Sequence, residues 1–294
     1  MLLEWIASRQ TRYKQHRHNR WIATQQAKYT RRYIEEFTHA RNDADVFVVS
    51  FPKSGRTWHR VMLGVYLAKM LDQPVSKAMR LTDLCHAAGI KSIAYSHNGA
   101  NFLDWLPPDH ELVASPTLWK DKAVILLTRD PRDVVVSSYF HARYRDGKFD
   151  GDISQFLRNP QTGIDKVLTA YNRWSDNRHL ANRFEMTSYE EMHQNPRTPL
   201  RQALGMLELH TIDEKDLLET VNFCRFDNMQ KQEETDFYRS WRLRSGSSEP
   251  RSRKTREGTV GGYKNHLSPE DIEFVNKRIG LIGDPFVAQR APSA

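Results

Sequence analysis

The stretch VFVVSFPKSGRTWH, residues 46–59, passes from an apolar run through a short loop into a helical pattern. The apolar run predicts a buried strand that Pro52 ends. Ser54 and Gly55 allow a tight loop, and a helix is expected to begin at Arg56. Because the first N–H groups of a helix have no intrahelical partner, this loop is a candidate binding site for a phosphate or a similar anion.

The lysine of this loop lies on the unusual side of the glycine. Loops that bind ATP follow the pattern G-x-x-x-x-G-K-[ST], with lysine after the last glycine. In this chain Lys53 comes two residues before Gly55. By itself the loop is also compatible with a structural turn that carries an exposed lysine, but the apolar strand before it favours phosphate binding.

Alternating strand and helix patterns predict the fold class. Helical patterns such as RTWHRVMLGVYLAKML and PRDVVVSSYFHARY lie between short apolar runs. This alternation predicts an α/β fold with a central parallel sheet flanked by helices on both faces. Ligands of such sheets bind beyond the carboxyl ends of the strands. The predicted strands are Val46–Ser50, Ile93–Ser96, Ala123–Thr128 and Phe184–Ser188.

Length and charge suggest one large domain and an anionic partner. The 294 residues suffice for a single α/β core. We predict a domain over residues 42–294, preceded by a basic helical extension over residues 1–41. Nine Lys or Arg against three Glu occupy this extension, and the whole chain carries a net charge of +8. Such charge favours a nucleotide, a sulfated or phosphorylated acceptor, nucleic acid or a membrane surface.

Several classes of protein fit the sequence poorly. No run approaches the roughly 18 apolar residues that span a bilayer, so only peripheral membrane contact through the extension stays open. The basic residues form no recognisable module for nucleic-acid binding. Cys85 and Cys224 lie far apart without metal-ligand spacing, which favours two reduced thiols in a cytoplasmic protein. The pattern leaves the oligomeric state open.

A second basic segment, LLTRDPRDVVVSSYF, follows the third predicted strand. Asp130 is a suitable N-cap, Pro131 suits the first helical position, and Asp133 is expected to complete a start like a capping box. A well-capped helix alone explains this much. Arg129 at the end of the strand, with Ser137 two turns into the helix, suggests a second anion site.

The third basic segment is RKTREGTVGGYKNHLSPED. Its Arg256, Gly258 and Gly261 follow the spacing R-x-G-x-x-G, which can wrap a backbone around a phosphate. A mobile basic loop is an equally natural interpretation of this segment alone. Further charge comes from Arg253, Lys254 and Lys264.

Together the three segments resemble motifs of the sulfotransferases that use 3′-phosphoadenosine 5′-phosphosulfate (PAPS). FPKSGRTW resembles their 5′-phosphosulfate loop PKSGTTW, and TRDPRDVVVSSYF resembles their 3′-phosphate motif, in which Ser follows Arg after eight residues. REGTVGGYKNHLS resembles their RKGxxGDWK segment. The three motifs occur in the family's order, from residue 46 to about residue 280. The resemblance, closest to bacterial-type members, implies a three-layer fold similar to P-loop NTPases.

The resemblance also implies roles for individual residues. Lys53 would stabilise the charge on the leaving phosphate, and no metal would be required. The remaining donor-binding residues implied by the family motifs are Ser54, Gly55, Arg56, Thr57 and Trp58 around the 5′-phosphate, Arg129, Ser137, Arg256 and Gly258 at the 3′-phosphate, and Trp58, Tyr189 and Phe226 near the adenine.

One histidine is a candidate general base. His97, in SIAYSHNGANF, matches the region where the family carries a histidine after the second strand. It would take the proton of an acceptor hydroxyl, whereas His59 is a poorer candidate. The chain departs from the family pattern at Arg56, where the family has Thr, at Tyr95, where it has Lys, and at Glu257, where a further Lys is missing.

The predicted activity is transfer of the sulfuryl group of PAPS to an acceptor hydroxyl, which leaves adenosine 3′,5′-bisphosphate (PAP). The aromatic and charged stretch YFHARYRDGKFDGDISQFL favours a carbohydrate or glycolipid headgroup over a phenol or small alcohol, although an ordinary lid over the site would have the same composition. Two other functions stay open on the sequence alone. One is a P-loop kinase that uses ATP and Mg²⁺, and the other is a non-catalytic nucleotide- or polyanion-binding protein.

Overall fold

Four parallel strands form the centre of the structure, a computed structural model that describes residues 44–97, 119–244 and 249–290. The predicted basic extension, residues 1–41, lies outside the described residues. The order of the strands across the sheet is β2-β1-β3-β4. All four predicted strands are confirmed, and the last begins one residue earlier than predicted. Their bounds are β1 Val46–Ser50, β2 Ile93–Ser96, β3 Ala123–Thr128 and β4 Arg183–Ser188.

Helices connect the strands and follow the last of them. Among the described residues, none combines the length and the apolar character that crossing a membrane requires. A π turn, His141–Arg145, continues directly from α3. The bounds are α1 Arg56–Met70, α2 Leu81–Ala88, α3 Pro131–Phe140, α4 Ile153–Arg158, α5 Ile164–Asn177, α6 Tyr189–Gln194, α7 Arg197–Met206, α8 Glu214–Phe223, α9 Phe226–Glu234, α10 Pro269–Ile282 and α11 Val287–Arg290.

The sheet is buried on both faces, as the continuous apolar strands predict. In β1, Val46 and Val48 pack into one apolar cluster, while Phe47 and Val49 pack into the other. Residues of α1, α2, α7 and α8 cover the first face, and residues of α3, α4, α5 and α10 cover the second. The fold is therefore a three-layer α/β sandwich, which confirms the predicted class.

The order of the strands creates a crevice at the end of β1. The chain passes from β1 to β2 on one side of the sheet and then returns to β3 on the other side of β1. Ligands of open parallel sheets bind at such a switch point, beyond the carboxyl ends of the strands. The loop after β1, residues 51–55, and the first turn of α1 lie at this position.

The predicted capping box at the start of α3 is wrong in one respect. Asp130 is the N-cap, and its side chain accepts a hydrogen bond from the N–H of Arg132. Asp133 is buried and instead accepts hydrogen bonds, both 2.8 Å, from the N–H groups of Gly261 and Tyr263. Its carboxylate therefore ties the third basic segment to α3, because two distant backbone donors take the place of the local one.

Candidate active site

A cavity of about 360 Å³ opens beyond the carboxyl ends of the strands. All three basic segments contribute to its lining, and so does the residue after β2. Ser54 is the exception among the predicted site residues, since it is fully buried and does not line the cavity. The predicted residues that line the cavity are Lys53, Gly55, Arg56, Thr57, Trp58, His97, Arg129, Ser137, Tyr189, Phe226, Arg256 and Gly258.

The loop after β1 has a constrained backbone. Gly55, the N-cap of α1, has a φ of 93°, and a Cβ atom at this position would lie 2.6 Å from the ring of Tyr189. Lys53 also has a positive φ, 75°, a conformation that costs a non-glycine residue about 1–3 kcal/mol. Backbone strain of this kind is typical of functional sites. It fixes the direction in which the lysine leaves the backbone.

Lys53 is held by a histidine that the sequence analysis did not single out. The Nζ atom lies 3.2 Å from Nδ1 of His141, and Nε2 of His141 lies 3.3 Å from a carboxylate oxygen of Asp146. An ammonium group can only donate, so Nδ1 accepts from Lys53 and the Nε2–H group faces Asp146. The π turn after α3 brings these two residues to the cavity, and no local sequence pattern predicts that contact.

Arg129 connects the three basic segments. Its guanidinium donates to the carbonyl oxygen of Lys53 at 3.3 Å and to that of Thr259 at 2.9 Å. It also lies 3.6 Å from the carboxylate of Asp133 and 4.1 Å from the ring centre of Tyr189. The structure therefore brings together at one side chain the segments that the sequence suggested as separate anion sites.

The third segment is tethered to the rest of the fold, in contrast to the mobile loop that its sequence also allowed. The carboxylate of Glu233 accepts from the N–H of Lys254 at 2.9 Å and from that of Thr255 at 2.8 Å. Of the further cations in this segment, Lys254 lines the cavity. Arg253 instead pairs with Glu234, at 2.7 Å.

Aromatic residues form one wall of the cavity. The indole N–H of Trp58 donates to the carbonyl oxygen of Cys224 at 2.8 Å, and its ring lies edge-on to those of Tyr189 and His193. Phe226 lies against Gly258, whose φ is 64°, so that a Cβ atom at this glycine would come within 2.2 Å of the Phe226 ring. The sequence analysis named all of these aromatic residues except His193.

His97 has the hydrogen bonding that a general base needs. Its Nδ1 atom lies 2.8 Å from the carbonyl oxygen of Ser50, which can only accept, so Nδ1 carries the proton. Burial and the charge of Arg56 hold the pKa of His97 well below its usual range. The imidazole is therefore neutral near pH 7, and its Nε2 atom carries a free lone pair. His59, by contrast, is buried, and its Nδ1 atom contacts the hydroxyl of Tyr95 at 2.9 Å.

Crowded cations dominate the electrostatics of the cavity. Burial, followed by the charges of Arg145 and Arg129, lowers the pKa of Lys53 to about 7. Burial and Arg145 likewise lower the pKa of Lys254 to about 7. Burial first, and neighbouring positive charges second, disfavour the protonated form of both lysines. A ligand with several negative charges would relieve this repulsion.

The carboxylates that line the cavity already have partners. Asp133 accepts from two backbone N–H groups, and Asp146 lies beside His141. Glu257 contacts both Arg256 and His266, the latter at 2.8 Å. Among the described residues, no group of three or more His, Cys, Asp or Glu side chains is placed to hold a metal ion.

Comparison with known proteins identifies the class. A sulfotransferase-domain profile matches residues 43–281. Sulfotransferase 2A1 of Macaca fascicularis is 25% identical over 251 residues, which cover 80% of this chain and 82% of the relative. The amine sulfotransferase of Oryctolagus cuniculus is 25% identical over 244 residues, covering 79% and 78% of the two chains.

A solved structure shares the fold. The mouse sulfotransferase SULT7A1, complexed with PAP, superposes with a TM-score of 0.56 at 17% identity, covering 87% of this chain and 92% of that one. The chain belongs to the sulfotransferase family. The resemblance inferred from the three motifs is thereby confirmed.

Proposed function

We propose that the protein transfers the sulfuryl group of PAPS to a hydroxyl group of an acceptor and releases PAP. The observation that carries this proposal is the position of Arg129, which joins the three donor-binding motifs of the family around one cationic cavity. The mouse structure complexed with PAP supports the choice of donor.

The donor is proposed to lie across the cavity with a phosphate at each end. Gly55, Arg56 and Thr57 would bind the 5′-phosphosulfate together with the free N–H groups at the start of α1. At the other end, the 3′-phosphate would be bound by Arg129, Ser137, Arg256 and the backbone at Gly258. The adenine would contact Trp58, Tyr189 and Phe226.

The reaction needs one bond to form and one to break at sulfur. The acceptor oxygen attacks the sulfur atom while the bond from sulfur to the 5′-phosphate oxygen breaks. Nε2 of His97 takes the hydroxyl proton, and Lys53 stabilises the negative charge that develops on the departing phosphate. Positioning and preorganised charge supply most of the rate in such transfers. His141 contributes by fixing the direction of the Lys53 ammonium group.

Transfer of label from [³⁵S]PAPS to candidate acceptors, in EDTA, tests the proposed activity. We keep carbohydrates and glycolipid headgroups as the favoured acceptors, because the polar and aromatic segment after α3 lies next to the cavity. Labelled product is the expected result. Binding of PAPS without transfer to any hydroxyl compound would favour a non-catalytic protein, and transfer of phosphate from ATP that requires Mg²⁺ would favour a kinase.

We also propose a cytoplasmic location, since Cys85 and Cys224 are free and buried.

Replacing Gly258 with alanine is expected to weaken donor binding. The new methyl group would lie 2.2 Å from the nearest atom of the Phe226 ring, so the ring must leave its position. The positive φ of 64° at this residue adds strain. We expect the Kd for PAP, measured by calorimetry, to rise by at least tenfold, about 1.4 kcal/mol.

Gly261→Ala is a matched control for this variant. Gly261 lies in the same segment with a φ of 73°, and no heavy atom lies within 4 Å of its hypothetical Cβ. It shares the backbone strain without the clash. Equal losses of PAP affinity in both variants would contradict the assignment of Phe226 to the adenine site.

Binding of PAP above neutral pH is expected to take up protons. The pKa of Lys53 is about 7 in the free protein, so at pH 8 its amine is mostly neutral. A bound phosphate raises this pKa towards the ordinary value, and the amine takes up about one proton per site. The affinity for PAP should therefore fall as the pH rises above 7.

Calorimetry at pH 8 in two buffers of different ionisation enthalpy measures this uptake. The observed heat should differ between the buffers, and Lys53→Met should reduce the difference, with Lys254 accounting for what remains. Identical heats for the wild-type protein in both buffers would show that the lysines keep their protons in the free state.

A further inference from the structure

Three arginines lie on the β2 side of the cavity, and the proposed donor contacts do not account for them all. Arg56 lines the cavity at the start of α1. Arg60 follows one helical turn later, on the same face of the helix. Arg242 belongs to the segment 239–244, which contributes Leu243 to the lining. These residues, Arg56, Arg60 and Arg242, are called the arginine cluster below.

The arginine cluster is next to the proposed base. The guanidinium of Arg60 lies 4.3 Å from the ring centre of Tyr95, which precedes His97 by two residues. Lys254, which lines the cavity, donates a hydrogen bond from Nζ to the carbonyl oxygen of Arg242. Burial, followed by the positive charges of Arg56, Arg60 and Lys254, lowers the pKa of His97 and so disfavours its protonation. Arg56 and Lys254 therefore line the cavity together with His97, while Arg60 lies beside Tyr95 and Arg242 beside Lys254.

Within the part of the chain that the structure describes, the arginine cluster differs from the other arginines near the cavity because it has no carboxylate partner. Arg129, Arg145 and Arg256 each have a carboxylate oxygen within 4 Å. Across residues 44–97, 119–244 and 249–290, no such ion pair is found for Arg56, Arg60 or Arg242.

The charges within the cluster repel one another. Burial, followed by the charges of Arg60 and Arg242, lowers the pKa of Arg56 to about 9. Burial is also the main cause that lowers the pKa of Arg60, to about 10. Gathering like charges in a partly buried position costs free energy, which an anion bound between them would offset.

The donor supplies anions elsewhere in the cavity. Under the proposed function, the 5′-phosphosulfate lies at Lys53 and the start of α1, and the 3′-phosphate lies at Arg129 and Arg256. The side chains of Arg60 and Arg242 do not line that cavity; the guanidinium of Arg60 lies over the ring of Tyr95, and the backbone of Arg242 contacts Lys254. A further negative charge therefore remains to be supplied from outside the donor.

We propose that the acceptor is itself an anion: its hydroxyl group faces His97 while a carboxylate, sulfate or phosphate of the same molecule is bound by Arg60, Arg242 and Lys254. A uronic acid or an acidic carbohydrate has this chemistry. The inference rests on the proposed function, because it takes His97 as the base and places PAP in the rest of the cavity.

The test uses two sugars that differ in charge and is carried out on protein saturated with PAP. Protein labelled with [¹³Cε1]histidine is titrated with sodium glucuronate, or with glucose plus an equal concentration of sodium chloride. The resonance of His97, assigned with His97→Gln, reports binding beside the base. Binding of PAP is measured first, so that its failure would reject the donor and the proposed function separately from the acceptor.

Glucuronate is expected to shift the His97 resonance saturably, with an apparent Kd at least about tenfold lower than that of glucose, as for one charge-assisted hydrogen bond. Arg60→Gln and Arg242→Gln should each remove this preference while PAP still binds and the thermal unfolding stays close to that of the wild type. Arg242 is exposed, so its variant keeps the test valid if Arg60→Gln fails to fold. The control is Arg183→Gln, at the amino end of β4 and so at the opposite end of the strands from the cavity. It should leave the preference for glucuronate unchanged.

Equal affinity for the two sugars, no shift with glucuronate, or a preference that survives in both arginine variants would each overturn the proposal.

Discussion

Replacing Lys53 with alanine is expected to lower kcat by about 10²- to 10³-fold, or roughly 3–4 kcal/mol of transition-state stabilisation. Lys53 lines the cavity, and its Nζ atom lies 3.2 Å from Nδ1 of His141. Its proposed charge acts on the phosphate oxygen only as the bond to sulfur breaks, so the loss falls on kcat. Initial rates with [³⁵S]PAPS and a responsive acceptor measure the effect.

The fold of this variant is expected to stay intact. Alanine is no more strained than lysine at a φ of 75°, and the change removes a cation whose burial already lowers its pKa to about 7. Lys215→Ala, an exposed change on α8, is the control and should keep full activity. Wild-type turnover in a folded Lys53→Ala protein would contradict the role proposed for Lys53.

Replacing His97 with alanine is expected to lower kcat by about 10²- to 10⁴-fold, the usual contribution of a positioned general base. The imidazole donates from Nδ1 to the Ser50 carbonyl at 2.8 Å and so presents an unprotonated Nε2 atom. The hydroxyl that this atom would contact belongs to the acceptor and not to PAP. The Kd for PAP should therefore change much less than kcat, and calorimetry beside single-turnover kinetics separates the two.

The pH dependence gives an independent check on His97. Its pKa lies well below the usual range because of burial and neighbouring cations, so the base stays unprotonated through neutral pH. At saturating donor and acceptor, kcat should stay constant as the pH falls from 7.5 to about 6.5, where an ordinary histidine would already be half protonated. His86→Ala, on an exposed face of α2, serves as the control. An unchanged kcat in His97→Ala would make His97 a structural residue.

Local patterns were sufficient to predict the framework of the fold. Each strand is a short apolar run because the sheet is buried on both faces, and the run at Val46–Ser50 meets the loop that begins α1. The three basic segments each carry turn and charge signals within a few residues. That is why most of the residues named from them line one cavity.

Contacts between distant residues could not be predicted in this way. Asp133 has the spacing of a capping-box residue, yet its partners are Gly261 and Tyr263, about 130 positions away. His141 reaches Lys53 only because a π turn extends α3. No local periodicity or motif predicts either contact, since both depend on how loops from different strands meet at one edge of the sheet.

The most direct measurement is a calorimetric titration of ligand-free protein, in EDTA, with PAP, adenosine 5′-monophosphate, adenosine 3′-monophosphate and ATP. The account predicts one PAP per chain. Since a charge-assisted hydrogen bond contributes about 1.5–3 kcal/mol, each monophosphate should bind at least ~10-fold more weakly than PAP. No heat with PAP, or tighter binding of ATP than of PAP, would contradict a cavity built for a nucleotide with phosphates at both its 3′ and 5′ positions.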